Sequence, residues 1–368
     1  MSVRRGRRLP PSKRERISSW SARRSPTRSR SRGSLPASCN PTEREVIGVL
    51  IVSVDGGQTK TAVELLDESG RLLEEWMLPP IIHYAKPGGL RSYSKIAAEV
   101  CERLNERVTG VGTSVDADVG PPVSICFSLS GYHGDVAAIP KAIRKAMSGR
   151  RFELASLKVV PDYWGNWYAA TRGGPGLVII SGGGTVAYGK NAAGRELRLG
   201  GWGHQLGDEG SGYWIGLAAL KSALRAQAGL EPPTGLARPV LRALKGEEES
   251  VLLARCYSGE ITDQDLALLV PLVNELAEGQ DRAALRIMQA AAGHLCELAV
   301  AARRQLGDVP VYLSGGVFKA SRLMHELEAA LGEAGLAGCT EVSSVRPAEG
   351  IFLLALKGAE RQQGPEPS

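Results

Sequence analysis

The stretch VDGGQTKT, Val54 to Thr61, decides the fold. It follows the apolar run VIGVLIVSV (46–54) and precedes TAVELLD (61–67), two segments that read as buried strands. A tight hairpin would explain the glycines alone. A phosphate cradle explains the acid, the hydroxyl and the lysine as well. Glycines let a backbone approach an anion closely, successive N–H groups line it, and a carboxylate at a strand end can hold Mg²⁺ through water. Gly56, Gly57, Gln58, Thr59 and Lys60 are therefore candidate phosphate-binding residues, and Asp55 is the candidate metal ligand.

Outward from this turn the pattern stays regular. RLLEEWML (71–78) reads as a third strand, reached by a tight turn at Ser69 and Gly70. Ser92–Val108 has helical spacing, followed by a Gly-rich loop up to Pro122. VSICFSLSG (123–131) is a buried strand running into small residues, AAIPKAIRKAM (137–147) a helix, and LKVVPD (157–162) a short strand stopping at Asp162. The theme then returns in GLVIISGGGTVAYGKNAAGRELRLGGWG (176–203): buried strand, glycine turn, strand pair. Helices dominate to about Gln305, VPVYLSGGVF (309–318) is a strand before a helix, and IFLLALKG (351–358) closes the chain as an apolar helix or strand. Two related lobes, each a mixed sheet flanked by helices, follow from the duplication. The expected division is a basic tail over 1–45, lobes over 46–172 and 173–361, and a polar end over 362–368.

Ser181, Gly182, Gly183, Gly184 and Thr185 offer a second anion cradle at the matching place in the second lobe. Two such turns at equivalent positions reinforce each other. Asp162 directly follows a strand, where a carboxylate can accept a proton from a substrate hydroxyl; a helix N-cap is the structural alternative. The block GGWGHQLGDEGSGYWIG (200–216) sets Asp208 and Glu209 among glycines and the aromatic Trp202, a combination that suits a polyhydroxyl ligand. His204 within it reads as a structural hydrogen-bonder. Gly315 and Gly316 open a helix after a strand and could meet a base or ribose.

The formal net charge of +6 first suggests a nucleic-acid partner. Residues 1–45, however, hold thirteen Lys and Arg against three Glu, so the tail carries +10 and the rest of the chain −4. The basic character belongs to a segment without apolar periodicity, and nucleic acid is not the expected partner of the body. No apolar core follows the basic stretch as a signal peptide requires, while Arg- and Ser-rich composition leaves organelle import open. Six scattered cysteines, Cys39, Cys101, Cys126, Cys256, Cys296 and Cys339, carry no zinc or iron–sulfur spacing and suit a reducing cytoplasm. No apolar run is long enough for a membrane helix.

The order and content of these motifs resemble the BadF/BadG/BcrA/BcrD ATPase family, within the superfamily of sugar kinases, actin and heat-shock ATPases, over about Val46 to Leu356. The likeness is nearest to those members that phosphorylate N-acetylglucosamine. It implies an α/β, two-lobed actin-like (ribonuclease H-like) fold with ATP in the cleft and Mg²⁺ as cofactor. By resemblance Asp55–Lys60 and Gly182–Thr185 are the phosphate loops, Asp162 the catalytic base, and Gly315 and Gly316 face adenosine. Ser130, Gly201, Trp202, Gly203 and Asp208 would line the sugar pocket. Three positions depart from the family pattern. Gln58 replaces the third glycine of DGGGT, Gly183 replaces a hydroxyl in the second loop, and PPIIHYAKPGG (79–89) lacks the usual Asn, leaving His83 and Tyr84 as its polar groups.

The expected function is thus ATP-dependent phosphorylation of a sugar hydroxyl, on an amino sugar or N-acetylhexosamine, with a homodimer open to it. Two alternatives differ in class. One is a partner-activating ATPase, which would hold an iron–sulfur cluster on cysteines at a dimer interface. The other is a non-catalytic sugar sensor with a degenerate site and a nucleic-acid-binding tail. Scattered cysteines count against the first, and the intact Asp55, Asp162 and Asp208 against the second.

Overall fold

The computed structural model describes residues 48–110 and 120–362. The basic tail, most of the Gly-rich loop and the polar C-terminal end lie outside the described residues. In chain order the first part holds β1 (Leu50–Gly56), β2 (Thr61–Leu66), β3 (Leu72–Leu78), α1 (Gly89–Gly110), β4 (Gly120–Leu129), α2 (Ala138–Ala146), β5 (Phe152–Pro161) and α3 (Asp162–Thr171). The second holds β6 (Gly176–Ser181), β7 (Thr185–Lys190), β8 (Glu196–Gly200), α4 (Gly212–Gln227), α5 (Ala237–Ala243), α6 (Glu249–Tyr257), α7 (Asp263–Ala267), α8 (Val270–Glu278) and α9 (Arg282–Leu306). It continues with β9 (Val311–Ser314), α10 (Ser321–Glu333), β10 (Thr340–Val342) and α11 (Pro347–Gln362).

The two sheets share one topology. The first runs β3-β2-β1-β4-β5 and the second, read from its other edge, β8-β7-β6-β9-β10. In each, the first three strands form an antiparallel meander, and the fourth and fifth join as parallel strands in the first sheet. The second repeats this with β6, β7, β8, β9 and β10. The central strand of each is buried on both faces, which is why its sequence reads as an unbroken apolar run.

Alternation along those strands separates the layers. Leu50, Val52 and Val54 point to a core built with Tyr93, Ile96, Val100 and Leu104 of α1 and Ile139 and Ile143 of α2. Val49 and Ile51 point the other way, to Tyr163 and Trp167 of α3 and Ile351, Phe352 and Ala355 of α11. Val178 and Tyr188 of the second sheet join that same cluster, so α3 and α11 form a layer shared by both sheets. Leu177 and Ile179 face the opposite core, filled by α4, α8, α9 and α10.

The structure refines three expectations. Strand β5 is ten residues long rather than a short segment before Asp162, because it pairs with β4 along almost its whole length. The ambiguous segment 351–358 is helical. This last helix packs chiefly on α3, β1, β4 and β5, elements that fall within 46–172, although the helix itself falls within 173–361. Two side chains from the first sheet fix it: Ser124 Oγ donates to the Ala355 carbonyl at 2.7 Å and Lys158 Nζ to that of Leu354 at 2.7 Å.

Candidate active site

The first glycine turn closes β1 on β2, with Gly56 opposite Thr61 and the Gly57 N–H donating to the Lys60 carbonyl at 3.0 Å. Gly56 is a packing glycine: a Cβ there would lie 2.7 Å from Leu129 Cδ2. Gln58 does not occupy the left-handed region, so the departure from glycine carries no backbone strain. Gln58, Thr59 and Lys60 are exposed, and Thr59 Oγ1 accepts a hydrogen bond from Gln264 at the start of α7, a contact between the two halves.

Backbone bonds hang two further segments on this turn. The Ser130 N–H donates to Gly56 O at 2.8 Å and the Ile81 N–H to Gly57 O at 3.0 Å. These bring Ser130 and the His83–Tyr84 segment beside the end of β1. The His83 ring stacks on Tyr84 at 4.5 Å and lies against Gly131, whose φ of +72° and absent side chain make room for it.

Asp162 sits at the C-terminal end of β5, as the first residue of α3. Pro161 occupies the capping position and no side chain caps the helix there, so Asp162 is not the N-cap that the structural alternative required. Its carboxyl is pushed up to about 6, first by burial and then by the nearby Asp55 carboxylate, against a hydrogen bond from Ser130. Asp55 is itself raised, by burial, with Lys60 opposing. The two acids thus face one space beside the first turn. Tyr93 of α1, which the sequence did not single out, also reaches this space: burial, Tyr84 and Asp162 push its hydroxyl up to about 12.

The second turn offers a complementary surface. A Cβ at Gly182 or Gly183 would meet nothing within 4 Å, so the loop backbone faces open space. The buried Thr185 Oγ1 has no hydrogen-bond partner there. Gly184 is different. Its Cβ would lie 2.9 Å from Asp208 Oδ2, and Asp208 Oδ1 accepts the Thr185 N–H at 3.0 Å. Asp208, which the resemblance put in the sugar pocket, is therefore bonded to the second turn, with its pKa raised chiefly by burial.

The same block is tied to this turn at both ends. The Gly201 N–H donates to Thr185 O at 2.9 Å and the Gly212 N–H to Gly182 O at 2.7 Å. Trp202 is 61% exposed, so its ring is free to cover a ligand. His204 pairs with Asp263 at 3.0 Å and lies 5.0 Å from the Tyr213 ring. Gly315, at φ +114°, would put a Cβ 2.2 Å from Ser181 O; its glycine serves the close approach of β6 and the turn after β9. Gly316 is exposed with open space beside it.

Residues 52–355 match the BadF/BadG/BcrA/BcrD ATPase family. The chain belongs to that family. It is 30% identical over 251 residues to an N-acetylmuramic acid/N-acetylglucosamine kinase of Clostridium acetobutylicum, covering 67% of this chain and 76% of the relative. It is 28% identical over 290 residues to an N-acetyl-D-glucosamine kinase of Dictyostelium discoideum, covering 76% and 88%. Among solved structures, a structural-genomics target from Chromobacterium violaceum assigned as an N-acetylglucosamine kinase superposes with a TM-score of 0.63 at 24% identity, covering 83% of this chain and 98% of that one. That likeness is one of fold. Among the described residues no helix is long and apolar enough to cross a membrane.

Proposed function

We propose that this family member is an ATP:sugar phosphotransferase acting on a hydroxyl of an amino sugar or N-acetylhexosamine. The observation that carries the reading is Asp162: a carboxyl raised to about 6, bonded to Ser130, facing Asp55 and set beside the first of two matching glycine turns. The kinase names of the relatives support the substrate class.

The residues present fit ATP and Mg²⁺. The second turn has free space over Gly182 and Gly183 and an unpartnered Thr185 hydroxyl. A strand-end carboxylate such as Asp55 suits Mg²⁺ held through water, since that ion keeps several waters and takes its other ligands from phosphate. When bound, Mg²⁺–ATP supplies the phosphoryl group and neutralises the charge that develops on it.

The chain's own part is positioning and proton transfer. The Gly57–Lys60 and Gly182–Thr185 backbones hold the phosphates, and Gly315 and Gly316 flank the nucleoside. His83, Tyr84, Ser130 and the Gly201–Gly203 segment hold the sugar, while Trp202 covers its apolar face and excludes water. Asp162 accepts the hydroxyl proton as the oxygen attacks. At neutral pH this carboxyl is mostly ionised, and it is basic enough to take the proton. The five cysteines among the described residues are all free, which supports a reducing, cytoplasmic setting. ADP release measured across a panel of amino sugars and hexoses tests the reading. Release is expected only with added sugar; sugar-independent release would point to a partner-activating ATPase.

A further inference from the structure

Helix α3 begins at Asp162 and lies in the layer shared by both sheets, so whatever sets its rotation also sets where that carboxyl points. Towards the first sheet and α11 it is seated by close approach. A Cβ at Gly165 would lie 2.9 Å from Ile351 Cγ1 and 3.0 Å from Ser128 Oγ, and one at Gly350 would lie 1.9 Å from Gly165 O. Towards the second sheet two side chains reach across. Trp167 Nε1 donates to Gly176 O at 3.0 Å, at the start of β6. Asn166 Oδ1 accepts from Ser314 Oγ at 2.8 Å, at the end of β9.

The second of these contacts lies at the end of the sheet that carries the glycine turns. Ser314 is paired in register with Ile180, and the next residue, Ser181, opens the second turn. Gly315, directly after Ser314, makes the close approach to Ser181 O. Within α3, Asn166 follows Asp162 by four residues, one turn or about 6 Å along the axis and on the same face. Its Nδ2 also donates to Asp162 O at 3.2 Å. Asparagine is a weaker helix former than alanine, so the helix itself gains nothing from it. What Asn166 adds is the bond to the second sheet.

We propose that Asn166 is a positioning residue: its hydrogen bond to Ser314 fixes the rotation of α3 against the strand end that carries Gly315 and Gly316, and so aims Asp162 at the transferred phosphoryl group. The inference rests on the sugar-kinase reading above, with Asp162 as the base. Both partners are half-buried, so water can replace either one when the other is lost. The fold then keeps most of its stability while the helix loses its fixed angle. A misplacement of about 1 Å in a reacting group can cost as much as about 10²-fold in rate.

The test is a double-mutant cycle with Asn166→Ala and Ser314→Ala, followed by sugar-dependent ADP release and by chemical denaturation. Each single change should lower kcat about tenfold and leave the KM for ATP and for sugar unchanged, and the double variant should be no slower than either. Ser314→Thr keeps the hydroxyl and should retain kcat near wild type; set against Ser314→Ala, it carries the comparison if Asn166→Ala does not fold. Losses that multiply to about a hundredfold in the double variant would mark two independent effects and overturn the coupling. So would variants that are less stable yet turn over at the wild-type rate per folded molecule, the result that packing alone predicts. ADP release by wild type without sugar would sink the kinase reading, and the same cycle on that turnover would still decide the role of Asn166. No ADP release under either condition would overturn both.

Discussion

Replacing Asp162 with Asn separates a catalytic base from a structural residue, because the two roles predict opposite signs for stability. The side chain keeps its shape and can still accept from Ser130, and no cap is lost because Pro161 holds that position. What is removed is a desolvated charge beside Asp55. A carboxyl raised from 3.8 to about 6 penalises its ionised form in the folded state by about 3 kcal/mol. The penalty is present above the folded pKa and absent below the unfolded one, so at pH 7.5 the variant should be more stable than wild type, by up to that amount. The gain should vanish near pH 4. Melting temperatures should differ by several degrees at pH 7.5 and converge in acid. The same change should lower kcat by about 10²–10⁴-fold, the usual worth of general-base assistance, with little effect on the KM for ATP. Wild-type kcat/KM should also fall tenfold per pH unit below about 6. A variant that is active and less stable would refute the reasoning on both counts.

Three further outcomes can be checked with standard assays. Gly183→Ala should fold normally, since its Cβ meets nothing within 4 Å, yet raise the KM for ATP; Gly315→Ala, at φ +114° with a Cβ 2.2 Å from Ser181 O, should lose on the order of 3–5 kcal/mol in chemical denaturation. Asp281 caps the 25-residue α9, accepting from Ala283 and Ala284 N–H at 3.0 Å and from Gly235 N–H at 2.7 Å, so Asp281→Ala should cost about 2 kcal/mol. Burial alone would raise that carboxyl but its hydrogen bonds hold it low, so its contribution is present at neutral pH and the gap to Asp281→Ala should narrow in acid. His83→Ala and Tyr84→Ala should raise the sugar KM about tenfold and leave the ATP KM unchanged; unaltered sugar kinetics in both would remove this loop from the site.

What could be read from the chain is local. A strand buried on both faces writes itself as an unbroken apolar run, and a glycine turn between two such runs marks the hairpin; Val46–Thr61 and Gly176–Lys190 show both signals. Their recurrence gave the duplicated sheet, because repetition is visible without knowing any contact. What could not be read is set by partners distant in sequence. The apolar run Ile351–Leu356 within 347–362 is continuous, so nothing in its pattern says which sheet it covers. Its place on the first sheet depends on Ser124 and Lys158, roughly two hundred residues away. Asp208 shows the same dependence: its sequence neighbourhood suggests a ligand, and only the fold shows that the missing Cβ of Gly184 lets it also accept the Thr185 N–H of the second turn. Arg198 carried no signal at all, since a lone arginine in a strand reads as surface. Only the fold, by bringing β8 near Tyr163, leaves its Nη1 buried and unbonded. Motif residues are legible because they lie close together in the chain, whereas contacts such as these join elements that meet only after folding.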